Sequence, residues 1–132
     1  MIGSMNQPIQ PYKILLVDDA PAVREALRWA FEDIGNLEVV GEADNGIQAI
    51  DQAKKLAPHV VILDIELPGL DGYEVAKSLK ALPDAPLIIF LTIHSDPMIK
   101  QRCQEIGGDG FVEKGKGWDE LIDQIQTALV NC

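Results

Sequence analysis

Cysteine is scarce in this chain: Cys103 and Cys132 are the two among 132 residues. They are too few for a disulfide framework and neither stands in a C-x-x-C pair, so a reducing, cytoplasmic setting is expected. No apolar run approaches the roughly 18–20 residues that span a bilayer, and the N-terminus lacks the charged-then-apolar order of a secretory signal. No membrane association is therefore expected. Basic residues are also few, 11 Lys and Arg against 21 Asp and Glu, for a formal net charge of −10. A nucleic-acid-binding surface needs Lys and Arg against phosphates, so direct nucleic-acid binding by this segment is not expected. There is no internal repeat, low-complexity tract or internal linker. What remains is a chain that is 47% apolar, with the length of one domain that can bury a core without staples. Residues 1–10 read as an N-terminal tail, in which Gly3-Ser4-Met5 looks like a cloning scar before a second start Met; residues 11–132 read as the domain. The acidic excess has two readings, solubility or a gathering of carboxylates at a cation site, and composition does not choose between them.

The hydrophobic pattern alternates between two kinds of segment. Tyr12–Val17 is a short apolar run ending at Asp18-Asp19, and 60–63 and 87–91 are similar runs ending at Asp64 and Thr92. Such runs suit parallel strands covered on both faces. Leu37–Ala43 and Gly110–Glu113 are further strand candidates, the second ending at Lys114. Between them lie helical spacings. Pro21 suits a first turn, and Val23, Ala26, Leu27, Ala30, Phe31 and Ile34 form a stripe stopped by Gly35-Asn36. Asn45 is placed to cap a helix over about 46–56, with Ile47, Ile50, Ala53 and Leu56 on one stripe, broken by Pro58. A turn-rich stretch, Leu67-Pro68-Gly69-Leu70-Asp71-Gly72, precedes a short helix over 73–82 closed by Pro83 and Pro86. Pro97–Ile106 is a fourth helix ended by Gly107-Gly108. A fifth, over 118–130, turns Leu121, Ile122, Ile125, Ala128 and Leu129 inward. Strand and helix alternating five times, with right-handed crossovers, predict a doubly wound α/β domain with a five-stranded parallel sheet.

Four polar features then fall at one relative place, the carboxyl ends of strands: Asp18-Asp19, Asp64, Thr92 and Lys114. In an open α/β sheet that edge holds the ligand site. A polar residue at one strand end is ordinary, but complementary types at four of five ends point to shared chemistry. Three carboxylates in one pocket repel, each pair by roughly 4 kcal/mol at about 4 Å and an effective dielectric near 20. A divalent cation removes that cost, and sulfur-free carboxylate ligation suits Mg2+ or Mn2+. An aspartate can attack phosphorus to give an aspartyl phosphate. That transfer needs neutralising cations around the phosphoryl oxygens, for which Lys114 supplies an ammonium and Thr92 a hydroxyl donor.

Over residues 13–129 the chain resembles the response regulator receiver family of two-component signalling. The resemblance rests on I-L-L-V-D-D at 14–19, V-V-I-L-D at 60–64, L-P-G-L-D-G at 67–72, L-T at 91–92 and G-F-V-E-K at 110–114. It implies the flavodoxin-like receiver fold with five helices and strand order 2-1-3-4-5. It also implies Asp64 as phosphoacceptor, and Mg2+ (or Mn2+) held directly by Asp19, Asp64 and the Glu66 backbone carbonyl, with Asp18 acting through water. Thr92 and Phe111 become the switch pair and Lys114 the phosphate-facing cation. The implied partners are a histidine kinase or phosphotransfer protein, and a homodimer through helix 4, strand 5 and helix 5 is a candidate assembly. The expected role is a phosphoacceptor switch with self-phosphorylation and autodephosphorylation only, not an enzyme. Two departures stand out. Gly115 follows Lys114 where the family often has a cis proline, and Ile93 follows Thr92 where a small residue is common, which should narrow access to the pocket. Both resemble receivers carrying a C-terminal helix-turn-helix output domain, active in transcription regulation.

Other readings compete with this one. A receiver-fold interaction module working without phosphorylation is opposed by the intact Asp18, Asp19, Asp64, Thr92 and Lys114. A flavodoxin-like cofactor binder wants a Gly/Ser/Thr-rich phosphate loop, not Asp18-Asp19-Ala20-Pro21. An aspartyl-phosphate hydrolase wants D-x-D-x-T, and Asp64-Ile65-Glu66-Leu67-Pro68 lacks it. Phe111 also reads as a plain core residue, and His94 as an exposed loop histidine; the family resemblance instead implies that His94, with Glu66, tunes aspartyl-phosphate hydrolysis. Cys103 reads as a packing residue. Trp29 and Trp118 read as helix anchors, Trp118 also as a partner contact.

Overall fold

The computed structural model of the chain describes residues 10–94 and 96–131; Gly3-Ser4-Met5 and Cys132 lie outside the described residues. The apolar runs pair as parallel strands: β1 (Tyr12–Val17), β2 (Leu37–Ala43), β3 (Val60–Asp64), β4 (Leu87–Thr92) and β5 (Gly110–Glu113), in the order β2-β1-β3-β4-β5. The helices are α1 (Pro21–Glu32), α2 (Gly46–Leu56), α3 (Gly72–Lys80), α4 (Pro97–Ile106) and α5 (Asp119–Val130). This is the expected doubly wound fold.

Alternation along the strands builds two cores, because successive side chains point to opposite faces. Leu15, Val17, Val61, Leu63, Ile88 and Phe90 face α2, α3 and α4, whereas Ile14, Leu16, Ile62, Ile89, Leu91 and Val112 face α1 and α5. All five residues of β3 are buried, as a central parallel strand requires.

Helix starts follow local polar chemistry. Asn45, Asp71 and Asp96 each accept a backbone N–H within the first turn of α2, α3 and α4. Several boundaries and faces differ from expectation. α1 ends at Glu32, not at Gly35, because Ile34 N–H turns back to the Phe31 carbonyl. α3 runs over Gly72–Lys80; Ala81 and Leu82 form only a closing turn, since Pro83 disfavours helical backbone at the residue before it. Trp118 is the N-cap of α5 rather than its first residue, half-buried against the α1–α5 core. Trp29 is 69% exposed, a surface residue rather than the expected anchor, Ala26 is exposed, and Ile47 is 76% exposed. In α2 the side facing the sheet is made by Gly46, Ala49 and Ala53, small residues that bring the helix close to the strands.

Candidate phosphoacceptor site

Parallel register brings the polar strand ends to one edge. Val17 pairs with Leu63, Asp64 with Leu91, and Thr92 with Glu113, so the residues just beyond these positions converge. The Lys114 N–H donates to the Thr92 carbonyl at 2.6 Å, extending the β4–β5 ladder into the site. Asp18, Asp64 and Thr92 are the buried polar residues among those described; Asp19 is exposed at the rim.

The carboxylates of Asp18, Asp19 and Asp64 offer oxygens that all lie within 4.8 Å of one another. Lys114 reaches between two of them, with Nζ 2.7 Å from Asp18 Oδ2 and 3.2 Å from Asp64 Oδ2. Asp18 Oδ1 accepts the Ala20 N–H at 2.9 Å, whereas the fully buried Oδ2 makes no well-aligned hydrogen bond and meets the ammonium as an ion pair. Asp64 Oδ1 accepts the Glu66 N–H at 3.0 Å, which sets the Glu66 backbone beside the phosphoacceptor candidate. Gly72 permits this turn. A Cβ there would lie 2.6 Å from Ile65 Cα and 2.7 Å from the Asp64 carbonyl oxygen.

Burial pushes the Asp64 carboxyl above its ordinary pKa, and Asp18 adds to the rise; the Glu66 N–H and Lys114 oppose it without cancelling it. Burial by itself would lower Lys114, but Asp18 and Asp64 outweigh that and hold its pKa above the usual lysine value. The pocket thus contains one ammonium against three carboxylates, with a buried oxygen lacking a full partner. That donor set fits a hard divalent cation.

Thr92 is buried and its hydroxyl oxygen accepts the His94 N–H at 3.0 Å. A hydroxyl also carries a proton to donate. His94 Nε2 meets Glu66 Oε1 at 3.2 Å, both side chains half exposed, so the histidine is a loop residue that also bridges two sides of the site. Phe111 is part-buried against the α2–α4 core, and its backbone N–H and carbonyl are bonded by the Gln124 carboxamide at 2.7 and 2.9 Å. No cis peptide occurs among the described residues, and Gly115 takes φ +90° after Lys114, a conformation open to glycine. Ile93 is 61% exposed.

Arg24 and Glu42 were not singled out from sequence. Arg24 Nη1 donates to the Asp18 carbonyl at 2.6 Å and its Nε to Glu42 Oε1 at 2.9 Å, while Arg28 Nη1 holds the other Glu42 oxygen. The available signal was two arginines four apart on α1, one turn from the acidic pair.

A family model described as the response regulator receiver domain matches residues 14–126, and the chain belongs to that family. The chain is similar to the response regulator GacA of Pseudomonas aeruginosa, 35% identical over 118 residues covering 89% of this chain and 55% of GacA. Among solved structures it is similar to a two-component response regulator of the LuxR family from an Aurantimonas species, with a TM-score of 0.86 and 30% identity over 92% of this chain and 87% of that one. It is also similar to the isolated receiver domain of RcsB from Salmonella enterica serovar Typhimurium with the phosphomimetic BeF3−, with a TM-score of 0.84 and 27% identity over 92% and 90% of the two chains. The chain spans about half the length of the curated relatives it matches. Among the described residues, no helix is long and apolar enough to cross a membrane.

Proposed function

We propose that the domain accepts a phosphoryl group on Asp64 from a histidine kinase or phosphotransfer protein in the cytoplasm, and that this changes its contacts with an output domain or a second receiver. The observation that carries the reading is the cluster of three carboxylates within 4.8 Å with Lys114 wedged between Asp18 and Asp64. A bound Mg2+ or Mn2+, held by Asp19, Asp64 and the Glu66 carbonyl with Asp18 acting through water, would neutralise charge on the transferring group. An Asp64 oxygen forms the new P–O bond as the donor's P–N bond breaks, the electron pair leaving with the imidazole nitrogen. Lys114, already aimed at Asp64, neutralises a phosphoryl oxygen, and Thr92 offers its hydroxyl proton to another. The Glu66 N–H holds the nucleophile's second oxygen and so fixes the direction of attack. This is single-turnover acceptance with autodephosphorylation, not catalysis on an external substrate.

Phosphate on Asp64 adds nearly two negative charges. Drawing Thr92 toward it shifts the end of β4 and opens space into which Phe111 turns, so α4, β5 and α5 carry the change. The differential contact is the Thr92 hydrogen bond, with a coupling on the order of 1–3 kcal/mol. Incubation with phosphoramidate and Mg2+ followed by intact mass tests the acceptor role. One acid-labile phosphoryl group is expected on the wild type and none on Asp64→Asn; a full gain on the variant removes the assignment.

A further inference from the structure

We propose that Arg24 is a positioning residue for the cation site, acting through the backbone of Asp18. This rests on the cation site proposed above. Every polar atom of Asp18 is met by a different part of the fold. Its N–H donates to the Ala43 carbonyl at 3.1 Å, its carbonyl accepts from Arg24 at 2.6 Å, Oδ1 accepts from the Ala20 N–H at 2.9 Å, and Oδ2 faces Lys114 at 2.7 Å. The Asp18 carbonyl lies just past the end of β1 and is satisfied by the guanidinium of Arg24. Arg24 is itself fixed. Its side chain is 17% exposed, and Glu42 on the neighbouring strand β2 takes Nε at 2.9 Å, with Arg28 holding Glu42 from the other side. The fork geometry of Arg lets one planar group serve the carbonyl and the carboxylate together, which a lysine ammonium on a flexible stem does less well. The β1–α1 turn that presents Asp18 and Asp19 is thereby tied to β2 and α1.

Two physical effects of Arg24 on cation binding have opposite signs, and this makes the proposal testable. As a positive charge beside an acidic pocket, Arg24 repels Mg2+, so its removal should tighten binding. As the clamp on the Asp18 carbonyl it holds two ligand-bearing residues in place, so its removal should weaken binding; loss of such a supporting partner lowers metal affinity on the order of tenfold. We expect the second effect to win. Mg2+ is titrated into the wild type, Arg24→Met and Arg24→Lys, following Trp fluorescence and the Asp19 amide signal, with urea unfolding run on each to show that it is folded. Both variants should bind Mg2+ more weakly, Arg24→Met by about tenfold, and the Asp19 amide should shift before any cation is added. If Arg24→Met does not fold, Arg24→Lys carries the test, because it keeps the charge and loses the two-armed clamp. Wild-type or tighter affinity in a folded variant overturns the positioning role while leaving the cation site intact. A wild type with no saturable Mg2+ response overturns both.

Discussion

Replacing Lys114 by Met keeps an unbranched stem one atom shorter and removes the charge from between two buried carboxylates. The ammonium lies 2.7 Å from Asp18 and 3.2 Å from Asp64, and the three side chains are 15%, 1% and 4% exposed. At an effective dielectric of about 20 these distances correspond to gross attractions of about 6 and 5 kcal/mol. Much of that offsets the cost of desolvating the three groups. The net loss is that of a buried ion pair broken from one side, about 3–5 kcal/mol, against a total stability for such a domain of about 5–15 kcal/mol. The pH dependence has a definite sign. The Asp64 pKa already lies above its ordinary value, and losing Lys114 raises it further. A carboxyl whose folded pKa exceeds its unfolded one destabilises the fold while ionised, a penalty present above the folded pKa that fades as pH falls through it. Lys114→Met should therefore be destabilised at pH 7 in the absence of divalent cations, with the gap to wild type narrowing on acidification toward pH 5. Mg2+, no longer competing with the ammonium, should stabilise the variant more than the wild type. Urea unfolding at both pH values, with and without Mg2+, measures all of this. A variant within about 1 kcal/mol of wild type at pH 7, where an uncompensated buried charge should cost several times that, would refute the electrostatic account of the pocket. So would an equal Mg2+ response in the two proteins.

Gly72→Ala places a methyl 2.6 Å from Ile65 Cα, against backbone that cannot yield cheaply, so a loss of about 2–4 kcal/mol in urea unfolding is expected, together with weakened Mg2+ binding; wild-type stability would show that the turn after Asp64 is not so tightly packed. Burial pushes the Cys103 thiol up to about 11, so in a Cys132→Ser background disulfide-exchange reagent at pH 8 should label the chain only on unfolding, and fast labelling of native protein would contradict that. With beryllofluoride as phosphate mimic, amide shifts should spread over 92–106 and 110–114 in wild type and be largely lost in Thr92→Ala; shifts confined to the surroundings of Asp64 would remove the switch mechanism.

The strands and the chemistry at their ends were legible because both are local. The segment ending at Asp64 is an unbroken apolar run, and the polar residue that stops each such run lies by construction of a parallel sheet on one edge. Asn45 signalled a helix start for the same local reason, whereas Asp71 and Asp96, which cap α3 and α4 in the same way, were not read as caps. What was not legible depends on tertiary contact. Ile47 looks like a core residue by spacing, but α2 packs through alanines and a glycine and leaves it in solvent. Trp29 has the composition of an anchor and the position of a surface residue. Arg24 and Glu42 are 18 residues apart and meet only because β2 lies beside β1. The strand order itself came from family resemblance; periodicity alone cannot rank the strands.

Mapping the acceptor residue tests the central claim most directly. The protein is treated with phosphoramidate and Mg2+, reduced with borohydride, which converts an aspartyl phosphate to homoserine, and digested for peptide mass mapping. The account predicts homoserine at position 64 alone, dependent on Mg2+ and absent when the cation is chelated beforehand. Reduction at Asp18, Asp19 or elsewhere with position 64 unmodified, or equal modification without a divalent cation, would contradict it.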